Sequence, residues 1–506
     1  MTETKASASK TLYRPTLLYA GGDWIRDGEI LVDEVGQIER IGPRTSPVPG
    51  QASGAEAGSM LVTIVDWPGK ALLPGFVNAH SHAFQRLIRG RSESRGGRTA
   101  KTCDFWSWRP TMYYAASRLD PQQVFDVARM AFLEMVLSGT TTVGEFHYLH
   151  NAPDGRPYDD PNRLARQVIA AAQSVGIRIN LLRTAYLRSG FELPADPGQR
   201  RFIETCPEFL RSMQALLETP ASAQVHLGVA PHSLRAVPLR DLHHIADWAR
   251  THQLPLHMHV SEQVAENAAC VREYGVTPVT LLAREGILTG QASLSRQPGG
   301  FTAVHAVHVT QREIRLLAEA GATVCACPTT ERNLGDGVVQ ANAMLSAGLR
   351  IALGSDSQAQ IDPLEDAREL EYHLRLLQQR RAILDPSGDS SGVSVSGPSS
   401  AARLFQAATA NGARSLALPC GELQPGRLAD FFTVDLEDSS IAGGSEADLL
   451  PLLVFALNRS AVRDVVVQGR TVLRQGRHAA HDEIVQRYRQ LHTAVWSGAA
   501  GPETRP

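Results

Sequence analysis

The residues of this chain best equipped for chemistry are two His-x-His pairs, His80-Ser-His82 and His257-Met-His259, followed by Val304-His305-Ala-Val-His308 and Gly354-Ser-Asp356. Each closes a short apolar run of the kind that forms a strand. Residues two apart on a strand face the same way, so His80 and His82 can present both imidazoles to one ion. Either His257 or His259 can add a third nitrogen. Glu262 lies just beyond His259, where a carboxylate can sit beside the ion and shuttle protons without ligating it. Asp356 adds a hard oxygen ligand that can also take a proton from water. One cluster alone would read as surface or core histidines; four strand ends carrying donors in this order read as one metal site. The chemistry of such a site is hydrolysis, because a bound divalent ion lowers the pKa of water toward neutrality.

For these side chains to meet, their strands must lie side by side with the C-terminal ends together. After Leu73-Pro-Gly75 the chain alternates apolar runs with longer helical stretches, as in Pro121 to Ser138 followed by Thr140 to Phe146, the pattern of parallel βα units. Runs beginning at Phe76 and Thr141 are joined by Arg178 to Leu182, Val225 to Val229, Pro255 to Val260, Thr302 to His305, Thr323 to Cys325 and Ile351 to Gly354. That makes eight, the number that closes a barrel.

The chain ends read differently. Short strand-like runs occur at Leu17 to Tyr19, Glu29 to Val32 and Val62 to Val65, and again at Ala429 to Val434, Val462 to Gln468 and Thr471 to Leu473. The fold expected is α/β: a distorted TIM (β/α)8 barrel over 74–414, flanked by a small β-sandwich domain built from 1–73 and 415–480, with a C-terminal helix and tail over 481–506. Gly50 to Met60, Ser92 to Thr102, Gly290 to Gly300 and Ser387 to Ser400 are rich in small or polar residues and read as loops.

Composition narrows the function. A formal net charge of -2 over 506 residues offers no basic field for nucleic acid. Met1 to Lys10 lacks the apolar run of a secretory signal, which points to the cytoplasm. The apolar stretch Leu449 to Leu457 is short and broken by Pro451, so a buried helix is expected and no membrane span. The 6 cysteines form no disulfide framework and read as reduced packing residues.

In this order the metal-site residues closely resemble the amidohydrolase superfamily, in which a first-strand His-x-His, a fifth-strand His, a sixth-strand His and an eighth-strand Asp surround the ion. The resemblance extends over nearly the whole chain. Binuclear members bridge two ions with a carboxylated lysine on the fourth strand, and no Lys follows Lys101 here, so the likeness is to the mononuclear deaminase branch. Within it, His80-Ser-His-Ala-Phe-Gln85, Phe105-Trp-Ser-Trp-Arg109, Glu145-Phe-His-Tyr148-Leu-His, Pro231-His232-Ser-Leu-Arg235 and Cys327-Pro-Thr-Thr-Glu-Arg-Asn-Leu-Gly-Asp-Gly337 are similar to the formimidoylglutamate deiminase family. The segments Ser92 to Thr102 and Gly290 to Gly300 depart from that pattern.

The resemblance implies that His80, His82, His259 and Asp356 hold one divalent ion. Zinc is favoured, with iron or manganese as alternatives. It implies Glu262, His305 and Asp356 as catalytic residues, with His308 open as the alternative to His305, and Gln85, Arg109, Tyr148, His232 and Arg235 as substrate-binding residues. It also implies a small dicarboxylate substrate and a homodimer. Two arginines with a Tyr and a His suit planar anionic groups; a neutral nucleobase would not require them. The competing readings are another mononuclear deaminase acting on a guanidino, amidino or purine substrate, and a non-catalytic barrel scaffold. A scaffold has no use for the complete donor set together with Glu262.

Overall fold

The computed structural model describes residues 10–45, 62–91, 93, 105–219, 222–288, 300–386 and 398–497. The four expected loops fall wholly or largely outside these residues. The chain opens with strands β1 (Lys10–Ala20), β2 (Asp23–Arg26), β3 (Gly28–Val32), β4 (Ile38–Pro43) and β5 (Val62–Pro74). It then passes through Gly75 into β6 (Phe76–Ser81). A side chain at Gly75 would meet Thr141 head-on, its Cβ 2.2 Å from the Thr141 Oγ1, so only glycine lets the chain cross this closely.

The eight apolar runs become the eight strands of a parallel barrel: β6, β7 (Thr140–His147), β8 (Arg178–Ala185), β9 (Val225–Pro231), β10 (Leu256–Val260), β11 (Phe301–His305), β12 (Thr323–Ala326) and β13 (Arg350–Leu353), each paired with the next. Every residue of β6, β7 and β8 is buried. Strands covered on both faces carry continuous rather than alternating apolar runs, which is why length and position, not periodicity, reveal them. The barrel closes just beyond β13. The Asp356 N–H donates to the His80 carbonyl at 3.0 Å, and the His82 N–H donates to the Asp356 carbonyl at 3.0 Å. The seam that completes the barrel therefore runs through three of the expected metal ligands, and backbone pairing sets their mutual positions.

Two helices frame the mouth and the wall. Helix α1 (Phe105–Ala116) lines the cleft, and α2 (Pro121–Leu137) packs outside β7. Asp120 and Gln123 cap α2 reciprocally: the Asp120 side chain accepts from the Gln123 N–H at 2.8 Å, and the Gln123 side chain accepts from the Asp120 N–H at 3.0 Å. The C-terminal helix His481–Trp496 lies against α2, where Arg129 makes a bidentate pair with Glu483 at 2.9 and 2.7 Å. Leu449 to Leu457 falls in and just after the helix Glu446–Ala456, with Leu449, Leu450, Leu453 and Val454 buried. Among the described residues no helix is long and apolar enough to cross a membrane. Cys206, Cys270, Cys325, Cys327 and Cys420 are free and buried; Cys103 lies outside the described residues.

Both chain ends meet in the second sheet. Strands β14 (Phe431–Asp435), β15 (Val462–Val467) and β16 (Arg470–Leu473) join β1 to β5 in the order β16-β15-β14-β5-β1-β3-β4, with β2 on β1. Tyr13, Leu18, Trp67, Leu72, Phe431 and Val466 form its own apolar core. An ion pair ties this sheet to the barrel: Arg178 at the start of β8 reaches Asp430 at 2.8 Å, with both side chains 0% exposed. Removing one member leaves an uncompensated buried charge, so Asp430→Ala is expected to destabilise the protein by about 3–5 kcal/mol. A urea midpoint unchanged from the wild type would contradict that.

Candidate metal centre and substrate cleft

The C-terminal ends of β6 and β10 and the turn after β13 bring His80, His82, His259 and Asp356 together, with one donor atom from each lying within 4.8 Å of all the others. The His80 Nε2 lies 3.1 Å from the His259 Nε2. The Asp356 Oδ1 is 3.4 Å from the His80 Nε2 and 3.1 Å from the His82 Nε2. The far side of two rings is already committed: the His82 Nδ1 is 2.8 Å from the Phe146 carbonyl, and the His259 Nδ1 is 3.0 Å from the His232 carbonyl. Those carbonyls can only accept, so the Nδ1 atoms carry the protons and the Nε2 lone pairs face the cluster.

The Nε2 atoms of the three imidazoles and the Asp356 carboxylate converge on one point. The donor set fits a divalent ion. Burial pushes His80 down to about 3, and burial together with the neighbouring imidazoles holds His259 well below its ordinary range. Both are therefore in the neutral, ligating form. Burial opposes ionisation of Asp356, but its hydrogen bond with His80 leads the contacts that outweigh it and hold it well below the usual carboxylate range.

The two histidines of each pair left open by the sequence face different surroundings. His257 shares a strand face with His259 but sits one layer deeper, its Nε2 2.8 Å from the Ser415 carbonyl. His308 turns away to the Asp336 carbonyl at 2.7 Å. His305 instead faces the centre, its Nε2 3.8 Å from the Glu262 Oε1 and 3.9 Å from the Asp356 Oδ2. Its ring stacks on His259 with centroids 5.4 Å apart. Burial disfavours a charged His305, but the Glu262 carboxylate and the hydrogen bond to Glu331 prevail and raise it well above the ordinary histidine range. Positive φ angles at His305 (70°), Ala306 (50°) and Asp356 (44°) mark backbone held in the left-handed region, as is common where a site dictates conformation.

A cleft of about 510 Å³, partly continuous with solvent, opens over this cluster. Its wall includes all five expected substrate residues, Gln85, Arg109, Tyr148, His232 and Arg235. The Gln85 Nε2 donates to the Tyr148 phenol at 2.6 Å. Arg235 is buried; burial disfavours its charge, but Tyr186, Glu262 and Glu266 outweigh that and keep it cationic.

Sequence reasoning missed several contributors. Tyr113 and Tyr186 line the cleft; Tyr186 carries no spacing signature, and Tyr113 only its place one helical turn after Arg109. Glu331 lies 3.3 Å from the His305 Nδ1 and accepts the Cys327 N–H at 2.9 Å. Glu145 brackets the first ligand pair, its carboxylate accepting from the Ser81 hydroxyl at 2.6 Å and the Ala83 N–H at 2.7 Å. Both acids stand in the strings singled out above, and for Glu145 an acid inside a buried barrel strand was the available signal. Glu145→Gln removes one acceptor from the turn that presents His82, so metal affinity is expected to fall roughly 10–100-fold. Chelator competition giving wild-type affinity would contradict this.

A model of the amidohydrolase family matches residues 71–472. The chain is 37% identical over 424 residues to the formimidoylglutamate deiminase of Pseudomonas aeruginosa, covering 84% of this chain and 89% of that one. It is 26% identical over 429 residues to a 5-methylthioadenosine/S-adenosylhomocysteine deaminase of Haloquadratum walsbyi, covering 85% of each. Among solved structures, an amidohydrolase from Brucella melitensis superposes with a TM-score of 0.80 at 31% identity, covering 97% of this chain and 100% of that one. An adenosine deaminase from Xanthomonas campestris with bound zinc shares the fold with a TM-score of 0.75 at 22% identity, covering 97% of this chain and 99% of that one.

Proposed function

Since the chain belongs to the amidohydrolase family, we propose that it is a metal-dependent deiminase. It converts N-formimino-L-glutamate and water to N-formyl-L-glutamate and ammonia, a step of histidine degradation. One observation carries the reading: the cleft over the three-His, one-Asp donor set also holds Arg109, Arg235, Tyr148 and His232, the groups that two carboxylates require. The 37% identity to the Pseudomonas aeruginosa formimidoylglutamate deiminase supports the same substrate. In this reading the ion is zinc, as the nitrogen-rich donor set favours, and the protein is a cytoplasmic homodimer.

The residues divide the work. His80, His82, His259 and Asp356 hold the ion, which when bound supplies Lewis acidity and lowers the pKa of a water toward neutrality. Asp356 accepts the proton that the attacking water gives up. Glu262 carries a proton to the terminal imino nitrogen as the new C–O bond forms. His305 lies beside both Glu262 and Asp356, where a ring N–H stabilises negative charge developing on the attacking oxygen. The C–N bond to that terminal nitrogen then breaks and ammonia leaves. Product analysis by proton NMR tests the bond assignment. N-formyl-L-glutamate with one equivalent of ammonia is expected; formamide with glutamate would mean that the other C–N bond breaks and would overturn the reading.

A further inference from the structure

The inference drawn here rests on that reading and concerns how one of the two carboxylates is held. Tyr113 stands one turn after Arg109 on α1, and Tyr186 follows β8 directly; all three line the cleft. Behind them Gln199, 2% exposed, spends both N–H groups of one amide on the two phenols, at 2.8 Å to the Tyr113 oxygen and 3.0 Å to the Tyr186 oxygen. Arg109 donates to the Tyr113 oxygen and also hydrogen-bonds the Tyr186 phenol. A phenol oxygen taking two donors has no acceptor capacity left, and its own O–H must donate elsewhere. The Gln199 Oε1 does not take those protons, since it is buried without a partner. Among the described residues neither phenol donates to a neighbouring acceptor, and both rings pack on Phe202, with centroids 5.8 and 5.7 Å away. Two O–H groups are thus turned toward the cleft beside a guanidinium.

We propose that Tyr113 and Tyr186 bind one substrate carboxylate jointly with Arg109 by donating their phenol O–H groups, and that Gln199 is the positioning residue that fixes the direction of both. Such a cradle accepts a carboxylate and rejects a neutral group of the same size, because a neutral group would leave the donors unpaired.

The test compares the metal-loaded wild type with Tyr113→Phe, Tyr186→Phe, Gln199→Glu and Gln199→Leu. It measures steady-state turnover of N-formimino-L-glutamate, turnover of its two analogues lacking either carboxylate, and glutarate affinity by calorimetry. Each Phe variant is expected to raise KM for N-formimino-L-glutamate and Kd for glutarate about 10–100-fold, the range of a hydrogen bond to a charged group, with kcat moving less than KM. On the analogue that lacks the carboxylate held here, the Phe variants should match the wild type. Gln199→Glu keeps the shape but turns the amide donors into acceptors, so it should weaken glutarate more than Gln199→Leu does. Wild-type glutarate affinity in Gln199→Glu would overturn the proposal. Equal proportional losses on both one-carboxylate analogues would also overturn it, since the tyrosines would then support only the fold. The two readings fail separately. Tyrosine-dependent glutarate binding without ammonia release removes the deiminase activity and keeps the cradle. Turnover with unchanged KM and Kd in both Phe variants removes the cradle and keeps the activity.

Discussion

Glu262→Gln is expected to bind a full complement of metal and to lose turnover by roughly 10²–10⁴-fold, the usual contribution of a positioned proton donor or acceptor. Glu262 is buried at the base of the cleft and lies 3.8 Å from His305, but it is not one of the four grouped donors. Its amide isostere keeps the volume and loses the proton traffic. Metal analysis and single-turnover rates on the same preparation check this. A variant turning over at the wild-type rate would show that protons reach the imino nitrogen by another route.

His259→Ala is expected to do the opposite, removing metal and turnover together. It deletes the Nε2 that stands 3.1 Å from the His80 Nε2 and leaves three of the four donors. With the ion goes Lewis-acid stabilisation worth several kcal/mol, so kcat/KM should fall by roughly 10³-fold or more. Elemental analysis that finds one ion per chain, with activity retained, would place the ligand elsewhere. The two variants together separate holding the ion from using it.

Much of this was legible before any coordinates. The eight barrel runs could be located because parallel strands buried on both faces are short, apolar and bounded by turns. The donors could be located because each sits at a strand end, where a barrel assembles its site. What could not be read depended on depth and on chain reversal. His257 and His259 share a face, and only the layer at which each sits separates the floor of the barrel from its mouth. The choice between His305 and His308 turns on the left-handed backbone at His305 and Ala306, which no residue type there announces. Glu145 and Gln199 act through contacts with residues far away in sequence, so their partners stayed hidden. Tyr113 was the most accessible omission, being one helical turn from Arg109 and therefore on the same face.

The most direct measurement is kcat/KM for ammonia release by the metal-loaded protein from N-formimino-L-glutamate, compared with N-formimino-L-aspartate, guanine and 5-methylthioadenosine. Enzyme-like efficiency, on the order of 10⁴ M⁻¹s⁻¹ or above, is expected for the glutamate compound alone. Faster release from guanine or 5-methylthioadenosine, or none from N-formimino-L-glutamate with the metal site filled, would contradict it.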